Sequence, residues 1–129
     1  MLNGLFELED LVHSYTRAQA LEDGFLVDLN QFIPVNESGY KFPVACTRTV
    51  WEIIEKAVKN KKHGNDHKGI VWDILSMSRM NTKKRWDTGA LFQVLITGAA
   101  RRTIFTFKIE CAAGDDMAPV FTISLPDED

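Results

Sequence analysis

His13, Tyr15, Thr16 and Arg17 stand within five positions of one another, bringing a base, a phenol, a hydroxyl and a guanidinium to one short stretch. In that grouping His13 would serve as a general base or a ligand beside Tyr15. The plainer role for it is a half-buried imidazole at a strand edge, because neither His63 nor His67 stands at a recognisable spacing from it. Asp73, next to Trp72, is a second acid–base candidate, yet a carboxylate on a largely apolar helix is more often paired with an arginine or a backbone donor. Asp115 and Asp116 are adjacent, so on a turn they point different ways and form no metal pair. Cys46 and Cys111 are the two cysteines and lie in no CxxC pattern, which predicts two buried free thiols. The chain has no Gly-rich phosphate loop, no HExxH, no GxSxG and no deaminase HxE with PCxxC. No catalytic residue, metal-ligand set or cofactor is therefore assigned from the residues.

Capping and periodicity indicate the elements that must position these groups. Thr16 and Gln19 fit a capping box, residues 18 to 22 are good helix formers, and Gly24 sits where a helix ends in a left-handed turn. Phe25 to Leu29 then reads as a short strand. Arg17 falls in the first helical turn, where its charge meets the positive end of the helix dipole and gains nothing locally. It needs another partner, Asp28 or Asp73, or a role on a functional surface. Thr47 and Arg48 repeat the Thr-Arg pair before a second helix, with Thr49 and Glu52 at capping-box spacing and an apolar stripe of Val50, Trp51, Ile54, Ala57 and Val58 running to about Lys61. Either Arg17 and Arg48 share one anion site at adjacent helix N-termini, or each pairs with a nearby carboxylate, the more ordinary arrangement.

The remaining segments complete an α+β pattern. Residues 2 to 12 form a short amphipathic helix or an irregular lead-in to a strand over 12 to 15. Residues 30 to 46, broken by Pro34, Gly39 and Pro43, read as a packed loop. Asp66 is placed to cap a helix from about Gly69 to Met80, apolar nearly all round and so expected to be the central buried one. After it the period drops to two, with Phe92, Val94 and Ile96, then Phe105, Phe107, Ile109 and Cys111, then Phe121, Ile123 and Leu125 alternating with polar neighbours. The expected fold is a C-terminal three-stranded antiparallel meander, open to extension by strands from residues 12 to 29, packed on two main helices plus a short N-terminal one. With 129 residues, 45% of them hydrophobic, the chain supports a single domain over 1–129.

Charge is segregated along the chain. Residues 1 to 45 carry −5, residues 46 to 110 carry +7 and residues 111 to 129 carry −5. In the basic block, Lys61 and Lys62 precede one helix, and Lys83, Lys84 and Arg85 stand beside Trp86, which is available to stack on a base. These residues are candidate nucleic-acid or partner contacts. Basic turns are equally the ordinary solvated surface, and the net charge of −3 argues against a dedicated nucleic-acid binder. No apolar run reaches the ~18 residues of a membrane span and the N-terminus lacks a signal-peptide pattern, so a cytoplasmic protein with no membrane partner is expected. The sequence sets no oligomeric state.

Ser14-Tyr15-Thr16-Arg17-Ala18-Gln19-Ala20 with Asp23-Gly24 and Val27-Asp28 resembles the signature of a family of small uncharacterised proteins encoded on bacterial plasmids and phages. Phe42-Pro43-Val44-Ala45 with Thr47-Arg48 and Val50-Trp51, Gly69 with Trp72-Asp73-Ile74-Leu75 and Met77, and Gly114-Asp115-Asp116 with Leu125-Pro126 agree with it. The resemblance spans residue 12 to the C-terminus and implies a mobile-element accessory protein in a bacterial cytoplasm. It supplies no reaction. The leading expectation is a non-catalytic binding protein, an inhibitor acting on a host protein or on a host-defence or other nucleoprotein complex, with His13, Tyr15, Thr16, Arg17, Arg48 and Asp73 as the candidate functional surface. One alternative is a nucleic-acid-binding protein using its basic turns. The other is a small ADP-ribosyltransferase-like enzyme, because a His-bearing strand ahead of a helix ending in Gly24 resembles the nicotinamide-binding opening of that family, although the spacing is short and Glu110 is the one central candidate for its late glutamate.

Overall fold

A computed structural model of the chain describes residues 15–128; His13 and the lead-in over 2–12 lie outside the described residues. In chain order the elements are α1 (Arg17–Asp23), β1 (Leu26–Asp28), a 3-10 turn (Leu29–Gln31), α2 (Val35–Ser38), β2 (Val44–Thr47), α3 (Arg48–Lys59), a second 3-10 turn (Lys61–His63), α4 (His67–Met80), β3 (Thr82–Trp86), β4 (Gly89–Leu95), β5 (Ile104–Ala113) and β6 (Pro119–Ser124). The six strands form one sheet in the order β1-β2-β6-β5-β4-β3. Every neighbouring pair is antiparallel except β2 with β6, where Val44, Ala45 and Cys46 lie beside Phe121, Thr122 and Ile123 in parallel. The fold is α+β, as expected; among the described residues its sheet has six strands, with β4, β5 and β6 as successive antiparallel neighbours, where a meander of three open to extension by strands from residues 12 to 29 was expected.

The two strands hidden from periodicity are β2 and β3, and for opposite reasons. Val44, Ala45 and Cys46 in β2 are all at most 2% exposed, so this inner strand carries no alternation and, following Pro43, reads as loop. β3 carries Lys83, Lys84 and Arg85 in succession, all exposed. It is an edge strand, and charge along an open edge opposes pairing with another chain. The segment over 30–46 is correspondingly not one loop, since it holds the short α2 and most of β2.

β4 and β5 alternate as expected, with Ala90, Phe92 and Val94 opposite Ile109, Phe107 and Phe105 across the ladder, all buried. Val50, Ile54 and Ala57 of α3 and Ile70, Val71, Ile74 and Leu75 of α4 meet these residues and Cys46 and Ile123 in one core. Burying such aliphatic and aromatic side chains contributes about 1.5–3 kcal/mol each. Three sequence expectations are corrected here. α4 lies on the sheet by one face only, leaving Trp72 47% and Met80 75% exposed, because nothing covers its far side among the described residues. The cap of α3 is Thr47, whose hydroxyl accepts from the Val50 N–H; Thr49 instead donates to Glu128. Cys46 is fully buried but Cys111 is half-exposed, and both are free thiols. Asp66 caps α4 as expected, accepting from the Gly69 N–H at 2.8 Å. Among the described residues no helix is long and apolar enough to cross a membrane.

Candidate functional site

The signature stretch folds into α1 with the expected capping box: the Gln19 N–H donates to Thr16 Oγ1 at 3.0 Å and the Thr16 N–H donates to Gln19 Oε1 at 3.0 Å. Gly24 closes the helix at φ 82°, a conformation that costs any L-residue with a Cβ. Two further N–H groups of the first turn, those of Arg17 and Ala18, donate to the two carboxylate oxygens of Asp115 at 2.8 and 3.0 Å. Those donors hold the Asp115 carboxyl below its ordinary value. The Gly-Asp-Asp turn, which sequence reasoning set aside as only a turn, thus supplies the anion at the positive end of α1.

Arg17 does not bridge to Asp28 or Asp73. Its Nη1 donates to Thr122 Oγ1 at 2.8 Å and its Nη2 to the Phe121 carbonyl at 2.7 Å. Thr122 alternates along β6 with the core residue Ile123, so the guanidinium lies over the sheet face turned away from α3 and α4. Burial there pulls its pKa down from the ordinary value, while Asp115 and Asp28 act in the opposite sense as nearby charges. Arg48 serves the other end of α1. Its Nε donates to the Gly24 carbonyl at 3.1 Å, its backbone N–H to the Phe25 carbonyl at 3.0 Å, and its guanidinium stands 5.3 Å from the Phe25 ring centroid. A cation at a helix C-terminus is the favourable placement. Among the described residues the two arginines therefore neither share an anion site nor form an ion pair with a carboxylate. Each Thr-Arg pair opens a helix that receives a carboxylate from the acidic C-terminal block, Asp115 at α1 and Glu128, through Thr47 and Thr49, at α3.

Tyr15 completes the clamp by donating its hydroxyl to Asp23 Oδ2 at 2.8 Å, across the length of α1. Tyr15, Thr16, Arg17 and Arg48 are thus gathered around one helix with their polar groups engaged inside the fold. What they leave outside is apolar: Tyr15 is 48% and Phe25 56% exposed, with rings edge-to-face at 6.5 Å, and Leu21 on α1 is exposed as well.

The other candidates lie apart. Asp73 is exposed on α4 without an ion-pair partner among the described residues, and partial desolvation raises its carboxyl above the ordinary range. Lys61 and Lys62 occupy the 3-10 turn tied to the β4–β5 loop, where Asn60 Nδ2 donates to the Gly98 carbonyl at 3.2 Å. Lys83 and Lys84 lie along β3, against the first half of β4, so the basic residues form two separate groups. Arg85 and Trp86 line a cleft of about 280 Å³ with Tyr40, Ser78, Arg79 and Cys111. Sequence reasoning missed one pair, His67 and Glu55. His67 Nε2 is hydrogen-bonded to Glu55 Oε1, and the imidazole stacks with Phe32 and Trp51 at centroid distances of 5.4 and 5.3 Å. No spacing rule joins residues on two helices, although Glu55 on the polar face of α3 and a histidine at the start of α4 were both visible. Among the described residues no three His, Cys, Asp or Glu side chains converge as a metal site.

Fold and site together define a class, a small α+β protein whose one mixed sheet carries a short N-terminal helix locked by polar contacts drawn from the opposite end of the chain. The chain belongs to the family described as Family of unknown function (DUF6573), whose pattern matches residues 2–129. Neither a curated protein nor a solved structure matches it.

Proposed function

We propose that this chain is a non-catalytic binding protein of a mobile genetic element, acting in the bacterial cytoplasm by occupying a surface of a host protein or host-defence complex. The contact surface is the rim of α1 and β1 formed by Tyr15, Leu21, Phe25 and Arg48. One observation carries this. α1 has seven residues and buries only Ala20, so neither its length nor its core contribution would hold it. A capping box, the Asp115 clamp, the Arg17 and Arg48 hydrogen bonds and the Tyr15–Asp23 link nonetheless fix it. Rigidity without burial suits a surface prepared for a partner. Tyr, Phe and Arg side chains fixed in advance are the types that anchor protein interfaces.

The test compares the intact chain with Phe25→Ser and Tyr15→Ser in affinity capture from bacterial lysate, followed by titration of the captured protein. Loss of one anchor is expected to weaken a stoichiometric complex by about 30-fold, corresponding to about 2 kcal/mol, with the melting temperature unchanged in Phe25→Ser, which removes no side-chain hydrogen bond, and lowered in Tyr15→Ser, which loses the bond to Asp23. Capture of the same protein with equal affinity by both variants would remove this surface from consideration.

A further inference from the structure

We propose that the cleft between the last turn of α4 and the β3–β4 hairpin binds a 5′-mononucleotide, with the phosphate on Arg79 and Arg85 and the base against Trp86. The cleft is separate from the α1 rim. At about 280 Å³ it falls just below the usual range of ligand sites, which favours a ligand as small as one nucleotide.

Its basic groups are prepared for an anion. Among the described residues the ion pairs are His67–Glu55 and Lys108–Glu110, so neither Arg79 nor Arg85 is neutralised by a carboxylate in contact. Both guanidinium charges act on the same hydroxyl, that of Tyr40, whose own pKa is raised by burial against them. Arg79 is held by Nε donating to the Leu75 carbonyl at 3.3 Å and by packing on Gly39, where an added Cβ would fall 2.2 Å from Nη1. The φ of +86° favours glycine at position 39, and the guanidinium packed on it keeps its remaining N–H groups for a ligand. Ser78 donates to the Leu75 carbonyl and lies 2.6 Å from the Tyr40 hydroxyl, so the wall beside the arginines is a closed hydrogen-bond chain. Arg85 is oriented by a bond from Nη2 to Thr82 Oγ1 at 3.3 Å. Asp87 also lines the cleft, leaving one positive charge in excess, which suits a phosphomonoester better than a triphosphate. The half-buried indole of Trp86 supplies the aromatic surface a base requires.

The experiment is isothermal titration of the full chain with AMP, GMP, CMP and UMP, alongside adenosine, inorganic phosphate and phosphotyrosine. At least one mononucleotide should bind one-to-one, inorganic phosphate more weakly, and adenosine not at all. Arg85→Gln, at an exposed position, and Arg79→Gln should each weaken nucleotide binding at least about tenfold, the loss of one charge-assisted hydrogen bond. Trp86→Leu should weaken the nucleotide but not phosphate. The proposal is overturned if no mononucleotide binds at millimolar concentration, if Arg85→Gln binds as well as the intact chain, or if phosphotyrosine or bare phosphate binds as tightly as every nucleotide.

Discussion

Replacing Arg17 by methionine isolates the polar clamp, because methionine keeps an apolar stem over the sheet and removes only the guanidinium. Two hydrogen bonds disappear, to Thr122 Oγ1 at 2.8 Å and to the Phe121 carbonyl at 2.7 Å. Bonds from a charged donor contribute about 1.5–3 kcal/mol each. Burying the guanidinium, whose pKa is lowered by that burial, offsets part of this, and the half-exposed Thr122 hydroxyl can turn to water. A net loss of about 2 kcal/mol remains. For a chain of this length each kcal/mol moves the midpoint by about 3–4 °C, so thermal unfolding followed by circular dichroism should fall by about 6–8 °C. Thr122→Val, combined with Arg17→Met in a double-mutant cycle, should give a coupling of about 1 kcal/mol. A midpoint for Arg17→Met within about 2 °C of the intact chain would refute the reasoning, since desolvation would then cancel both bonds.

Thr16→Ala, which removes the cap acceptor, should cost about 0.5–2 kcal/mol in urea unfolding. Gly24→Ala should cost at least about 1 kcal/mol, because φ is +82° and the new Cβ would sit 3.1 Å from Arg48 Nη2. Asp115 has a folded-state pKa below its ordinary value of 3.8, so its stabilisation is present above that value and is lost as pH falls through the lower folded value. Acid titration should therefore destabilise the intact chain more steeply below pH 4 than Asp115→Asn, and parallel curves would contradict the clamp. Cys46 is fully buried, with its thiol pushed up to about 12. Under native conditions iodoacetamide should modify Cys111 and leave Cys46 intact by mass spectrometry, with both modified after denaturation.

Local signals in the sequence were read where a single element decides the outcome. The Thr16–Gln19 box, Gly24, the Asp66 cap and the alternation of β4 and β5 are fixed by neighbours a few residues away. What failed was long-range. Asp115 is 98 residues from the N–H it caps, and no periodicity links the two, although an acidic block at one terminus and two cationic helix openings were both in view. β2 was unreadable because burial on both faces erases alternation, and β3 because an exposed edge favours charge over β-propensity. Arg17 has no local partner in its own helical turn, and its acceptors are a carbonyl and a hydroxyl, which composition does not point to. Phe25 reads as the first residue of a strand but lies in the bend between Gly24 and β1, so period-two alternation does not set which way its ring faces.

The most direct test of the α1 rim as the contact surface is photocrosslinking in bacterial cells, with a photoreactive phenylalanine analogue at position 25 in one chain and at position 104 in another. Ile104 is 50% exposed at the start of β5 and serves as the remote control. A single discrete adduct from position 25, absent from position 104, is the predicted result. Adducts from position 104 with none from position 25 would contradict it.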